Sequence, residues 1–280
     1  MQEGYWVTRT YQAGAVGEKT KFFIPGTRPT GRISRRAKDA VRKQEQNEYS
    51  AQKALARLIN ENAKAGDLLM GLDYSDKGIE KISAWARKKG LPIDSEDEQE
   101  REDALYIAAD HEIDNCLRRV KNRLKKKGIE LKAVYCTSDR DGETGTIPVR
   151  VHHHLVVQVD ARDAFMGAWE ECGLGSVDWT PLWENQADRT PIAEYWIRQV
   201  RRFPNAKKYR HTQNMVVPKP KDRVAISDAE LRVPKDCKLI YRQEYKRGAP
   251  QYIRYIISAR TRKGGGDAPD AEDRGGDVRI

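Results

Sequence analysis

Three of the chain's five histidines stand side by side in VRVHHHLVVQV, residues 149–159. The flanking Val and Leu residues read as a β-strand, in which successive side chains alternate between faces. His152 and His154 therefore point one way and His153 the other. Two imidazoles two residues apart on one face bring their nitrogens close enough to share a metal ion, with a third ligand from a neighbouring strand. A cupin or a carbonic-anhydrase-like strand carries the same spacing, so the motif selects metal chemistry rather than one reaction.

A second chemical feature lies in TPIAEYWIRQVRRF, residues 190–203. It reads as a helix, with Thr190 as its cap and Pro191 at the first helical position. Ile192, Trp196, Val200 and Phe203 form its apolar face, while Tyr195, Arg198, Gln199 and Arg202 gather on another side. A phenol among guanidinium groups suits attack on a phosphodiester, because nearby positive charge favours the phenolate and holds the phosphate. A surface tyrosine beside ordinary helix arginines would have the same sequence. The basic run from Arg198 to Arg223 adds Lys207, Lys208, Arg210 and Asn214, interleaved with Tyr209 and His211. Cations for a phosphate backbone and rings for stacking are what single-stranded DNA binding needs, although a solvated basic loop has the same composition.

These residues need a scaffold. LLMGLDY (68–74) reads as a buried strand and residues 132–137 as another. The Asp-Gly of DRDGETG, residues 139–145, marks a hairpin whose return arm is the histidine strand. GAVGEKT near residue 17 lacks the glycine spacing of a phosphate-binding loop, and DRDGETG is out of register for an EF-hand. Residues 5–12 and 19–24 read as short strands. Residues 34–65, 77–90, 101–127 and 161–172 read as helices, and 238–243 and 251–257 as strands or a helix. The predicted organisation is a basic N-terminal region packing on the core (1–66), a catalytic domain (67–258) and a disordered tail (259–280).

With 52 Lys and Arg against 42 Asp and Glu, the net charge is +10. That balance points to a polyanionic partner, nucleic acid first. The four cysteines show no C-x-x-C spacing, which argues against a zinc ribbon or a disulfide scaffold and for a reducing cytosol. No secretory signal pattern opens the chain, and no stretch approaches the roughly 18 apolar residues of a membrane span. The expectation is a soluble, cytoplasmic protein with no membrane partner.

The H-x-H strand followed by a tyrosine on a basic helix resembles the HUH endonucleases of rolling-circle replication. GYWVTRTY, EKTKFFIPG, LINENAKAGD, LLMGLDY, TQNMVVPKP and QYIRYII look like successive blocks of the replication initiators of bacterial phages and integrative elements. The resemblance extends to about residue 258. It implies an α+β fold: a mainly antiparallel central sheet with flanking helices, plus a helical N-terminal region. It also implies that His152 and His154 bind Mg²⁺ or Mn²⁺, and that Tyr195 attacks the scissile phosphate. The products would be a 5′-phosphotyrosine and a free 3′-hydroxyl. Arg198 stands where relatives usually carry lysine. Many relatives supply a glutamate on the strand before the hairpin; here that place reads TSD, and Asp139 is the candidate third ligand or merely a turn residue. The partners implied are single-stranded or hairpin origin DNA, a host helicase and a DNA polymerase, and the compartment implied is a bacterial cytoplasm.

Within the same chemistry, a conjugative relaxase or an HUH transposase is the alternative. In a different class, a non-catalytic DNA-binding regulator would keep the fold and lack the nuclease.

Overall fold

The structure is a computed structural model that describes residues 4–26, 37–200, 207–225, 229–243 and 250–258. Arg202 and the tail 259–280 lie outside the described residues. In chain order the first elements are β1 (Tyr5–Ala13), β2 (Val16–Ile24), α1 (Ala37–Asn62), β3 (Leu68–Tyr74), α2 (Asp76–Lys88) and α3 (Glu98–Lys125). Then come β4 (Ala133–Arg140), β5 (Pro148–Val157), a 3-10 turn at Val159–Ala161, α4 (Arg162–Trp169), β6 (Gly175–Pro181) and α5 (Thr190–Gln199). The last four are β7 (Arg210–His211), β8 (Lys221–Ala225), β9 (Cys237–Arg242) and β10 (Gln251–Ile257). The described residues thus form an α+β structure of five α-helices and two antiparallel five-stranded sheets.

The chain divides into two compact units, residues 1–50 with 216–280, and residues 51–215. This differs from the expected division at residue 66. The N-terminal region holds the expected helix, α1, and also a hairpin of β1 and β2 that turns at Gly14 with φ 57°. They sit inside a sheet of order β8-β1-β2-β10-β9, so strands from both chain ends make one layer. Ile253, Tyr255 and Ile257 of β10 bury against Leu231 to give this unit its small core.

The second unit carries the sheet β6-β3-β5-β4-β7, with the histidine strand β5 in the middle. Strand alternation gives this sheet two differently used faces. Leu68, Met70, Leu72 and Tyr74 of β3, with Val151, Leu155 and Val157 of β5, pack against α2, α3 and α4 in the larger core. Trp169 and Phe165 of α4 are fully buried there, each contributing about 1.5–3 kcal/mol. The opposite face is covered in part by Leu55, Leu58 and Ile59 of α1 and by Ala193, Trp196 and Ile197 of α5. That second face carries His152 and His154.

Local sequence explains the helix starts. Ser75 caps α2 by accepting from the Gly78 amide, and Asp97 caps α3 by accepting from the amides of Gln99 and Glu100. At α5 the expected cap is displaced: Thr190 lies within the helix, and Asp188 Oδ1 accepts from its amide (3.0 Å) and its hydroxyl (2.5 Å). Asn60 of α1 accepts from the Arg189 amide at 2.8 Å, tying the start of α5 to α1. Among the described residues, no helix is long and apolar enough to cross a membrane.

Candidate metal and nucleophile site

The pairing of β4 with β5 sets Thr137 opposite His153, Ser138 opposite His152 and Cys136 opposite His154. His153 therefore faces α3 and α4 and is fully buried. The Tyr74 hydroxyl lies 3.0 Å from its Nε2, and Thr137 Oγ1 lies 3.2 Å from its Nδ1. Thr137 gives its one hydroxyl proton to Asp110 Oδ1 at 2.9 Å. Hence His153 Nδ1–H must donate to Thr137, and Nε2 must accept from Tyr74. Burial holds this imidazole far below its ordinary pKa, so it stays neutral. His153 is a core residue, as alternation requires.

His152 and His154 face the other way, with their Nε2 atoms 3.0 Å apart. His152 Nδ1 lies 2.9 Å from the Arg150 carbonyl oxygen. A carbonyl only accepts, so Nδ1 carries the proton and Nε2 presents a lone pair, the tautomer typical of a metal-ligating histidine. His154 stacks against Trp196 at 5.8 Å, and burial depresses its pKa to about 4. Both rings are thus held, and His154 is neutral at physiological pH.

Gln199 completes the group. Its Oε1 lies 3.3 Å from His152 Nε2 and 3.0 Å from His154 Nε2. Its amide nitrogen is buried with no hydrogen-bond partner among the described residues. Its oxygen can accept from a protonated His154 Nε2, while the unpaired amide nitrogen costs about 1–3 kcal/mol. Two imidazole nitrogens and one amide oxygen make a neutral donor set that can hold a divalent transition ion. Among the described residues, no three His, Cys, Asp or Glu side chains converge on a metal position. The third polar group that meets the imidazole pair is the Gln199 amide oxygen.

Asp139 does not take that place. β4 is irregular between Ser138 and Arg140, where Asp139 sits, and the Asp139 carboxyl couples electrostatically to Glu102 and Tyr106 of α3, the helix on the His153 side of the sheet. Asp139 Oδ2 lies 3.5 Å from Arg140 Nη1, and Arg140 in turn pairs with Glu102 of α3 at 3.1 Å. Burial raises the Asp139 carboxyl to about 6, against the pull of Arg140. The carboxylate opposite His152 on its own face is Asp73, exposed on β3 and unremarked in the sequence.

Tyr195 lies one helical turn before Gln199, its ring centroid 5.7 Å from that of His154. It is 43% exposed. The hairpin loop rests on it: a Cβ on Gly142 would come within 2.4 Å of the phenol ring. Asp141 shapes that loop by accepting from the amides of Glu143, Thr144, Thr146 and Ile147, which holds its carboxyl below the usual range. Arg198 is exposed and reaches the Glu143 carbonyl at 3.5 Å, leaving its charge open to an anion.

No family model, curated protein or solved structure matches this chain.

The remaining expected DNA contacts separate. Lys207 is exposed, while Lys208 is half-buried and already engaged. Asn214 donates to Glu130 at 3.3 Å. Arg210 is not a free cation: its guanidinium pairs with Asp110 at 2.6 Å and Asp114 at 2.8 Å and lies over the Tyr135 ring. It fastens β7 to α3. Arg210→Ala should destabilise the protein by about 2–3 kcal/mol in urea unfolding, because two carboxylates lose their counter-charge. An unchanged midpoint would remove this structural assignment.

Proposed function

We propose that this protein is a metal-dependent, tyrosine-nucleophile endonuclease that nicks and rejoins single-stranded DNA, and that it starts rolling-circle replication of a mobile element. One observation carries the reading: the donors of His152, His154 and Gln199 converge beside the exposed phenol of Tyr195. The histidine pair on the middle strand of an antiparallel sheet, with the tyrosine on a helix against the same face, supports an HUH-type arrangement. The net charge of +10 supports a polyanionic substrate.

His152 and His154 would hold the ion through Nε2 and Gln199 through Oε1. A bound divalent cation supplies Lewis-acid polarisation of a phosphate oxygen. With two imidazoles and no carboxylate, the donors suit Mn²⁺ better than Mg²⁺, which prefers oxygen ligands. The Tyr195 oxygen attacks phosphorus, the bond to the 3′-oxygen breaks, and the phenol proton leaves to solvent. A 5′-phosphotyrosine and a free 3′-hydroxyl result, the latter fit to prime a polymerase. Arg198 holds the phosphate by charge.

The deciding experiment mixes the protein with Mn²⁺ and labelled single-stranded DNA from its own element, then searches by mass spectrometry for a nucleotide-bearing peptide. The adduct is expected on the peptide containing residues 190–199. DNA binding with neither adduct nor nick would favour the regulator instead.

Gln199→Leu tests the third donor. Calorimetry should show Mn²⁺ binding weakened by at least about tenfold. Metal-free stability should hold or rise, since a buried unpaired amide is removed. Undiminished Mn²⁺ affinity would exclude Gln199 as a ligand.

A further inference from the structure

Beside Tyr195 the sheet face opens into a cleft of about 420 Å³. Its construction follows from strand register. Gly71 of β3 lies between His154 of β5 and Asp178 of β6, and Leu69 lies between Val156 and Thr180. Across a sheet, residues in register share a face, so Gly71, Asp178 and Thr180 stand on the side of the metal donors. A Cβ on Gly71 would meet nothing within 4 Å: the space above it is open. Pro191, Ile192, Tyr195 and Trp196 of α5 form the facing wall.

We propose that this cleft seats one unpaired nucleobase next to the scissile phosphate, and that it favours bases with an exocyclic amine over thymine. The proposal deepens the nuclease reading and rests on it. The walls are apolar and aromatic, as a base's flat face requires. The volume is at the small end of the roughly 300–1,000 Å³ of ligand clefts, which admits a base with its sugar and not a duplex. Asp178 gives the direction of recognition. Its carboxylate is exposed and makes no hydrogen bond or ion pair among the described residues. A carboxylate repels phosphate, so the backbone runs elsewhere and a donor must face Asp178. Adenine, cytosine and guanine each present an amine, whereas thymine flanks its one ring N–H with two carbonyl oxygens. Carboxylates read cytosine N4 in the same sense. Thr180, whose hydroxyl donates or accepts, can serve the neighbouring ring atom. Trp179 does not take part through its ring, which turns to the opposite face beneath Arg162.

The test measures binding of ten-nucleotide oligo-dA, oligo-dC and oligo-dT by fluorescence anisotropy, with no metal present. The wild type should bind dA or dC about fivefold or more tighter than dT. Asp178→Asn, at an exposed position, should erase that ratio because an amide can also donate. Gly71→Val should fold, being a β-branched residue placed in open space, and should weaken binding of dA and dC about tenfold. A wild type without the ratio, a ratio unchanged in Asp178→Asn, undiminished affinity in folded Gly71→Val, or no binding to any oligonucleotide would each overturn the proposal. Since no nicking is involved, failure of the two readings is separable. Base preference without an adduct keeps the cleft and loses the enzyme; an adduct without base preference does the reverse.

Discussion

Tyr195→Phe should lose DNA nicking by on the order of 10⁴-fold or more, with no covalent adduct, while its unfolding midpoint stays within error of the wild type. On the nuclease reading, the loss follows from removing the one atom that would form the bond to phosphorus; no rearrangement of a phenyl ring restores it. The unchanged stability follows from the surroundings. The side chain is 43% exposed, and its hydroxyl makes no hydrogen bond among the described residues. The contacts that place the ring, against His154 and under Gly142, survive the substitution. Loss of one exposed hydroxyl stays within about 0.5 kcal/mol. A gel assay on labelled single-stranded DNA with Mn²⁺, run beside a urea titration, gives both numbers. Nicking within tenfold of wild type would move the nucleophile to another residue.

The second large effect separates neighbours in one strand. His153→Ala should destabilise the protein by about 3–5 kcal/mol: it opens a cavity beside Trp169 and strands the Tyr74 hydroxyl and Thr137. His152→Ala, at a half-buried position, should cost far less and instead abolish Mn²⁺ binding. The two variants thus fail in opposite assays. Acidity sharpens the difference. An imidazole whose folded pKa is depressed binds its proton more readily in the unfolded chain, so its stabilising share is present above the unfolded pKa near 6.5 and is lost as the pH falls. Asp139 and Asp110, whose carboxyls burial raises, act in the contrary sense. The difference between wild type and the non-titrating His153→Gln cancels those shared contributions. The wild-type advantage should shrink by up to about 2 kcal/mol between pH 7 and pH 5. An advantage independent of pH would mean that His153 is not held neutral.

Much of the site was legible because its signals are local. Alternation separated His153 from its neighbours, Asp141-Gly142 announced the hairpin, and Pro191 marked the start of α5. Alternation does not reach Asp139, because β4 is irregular between Ser138 and Arg140. The proposed third donor had a sequence signal too: Gln199 stands four residues after Tyr195, on one side of the helix. Only the packing of α5 on the β5 face turns it toward the imidazoles rather than outward, where a DNA contact was expected. Arg210 looked like a free cation because its partners, Asp110 and Asp114, lie far back in the chain. β6 escaped notice because GSVDWTP is a polar edge strand. The first unit was misjudged for a related reason: β10 pairs with β2, and no window of consecutive residues contains that bond.

The middle histidine has one further effect. If the hairpin paired one residue out of frame, the imidazole meant for the interior would swing out, and its two neighbours would be forced among Leu72, Tyr74 and Trp169. Such an isomer forfeits its packing and its cutting centre together. On the nuclease reading, a mispaired copy is harmless to its host's DNA, because the arrangement that severs a strand exists only in chains that have also satisfied their interior.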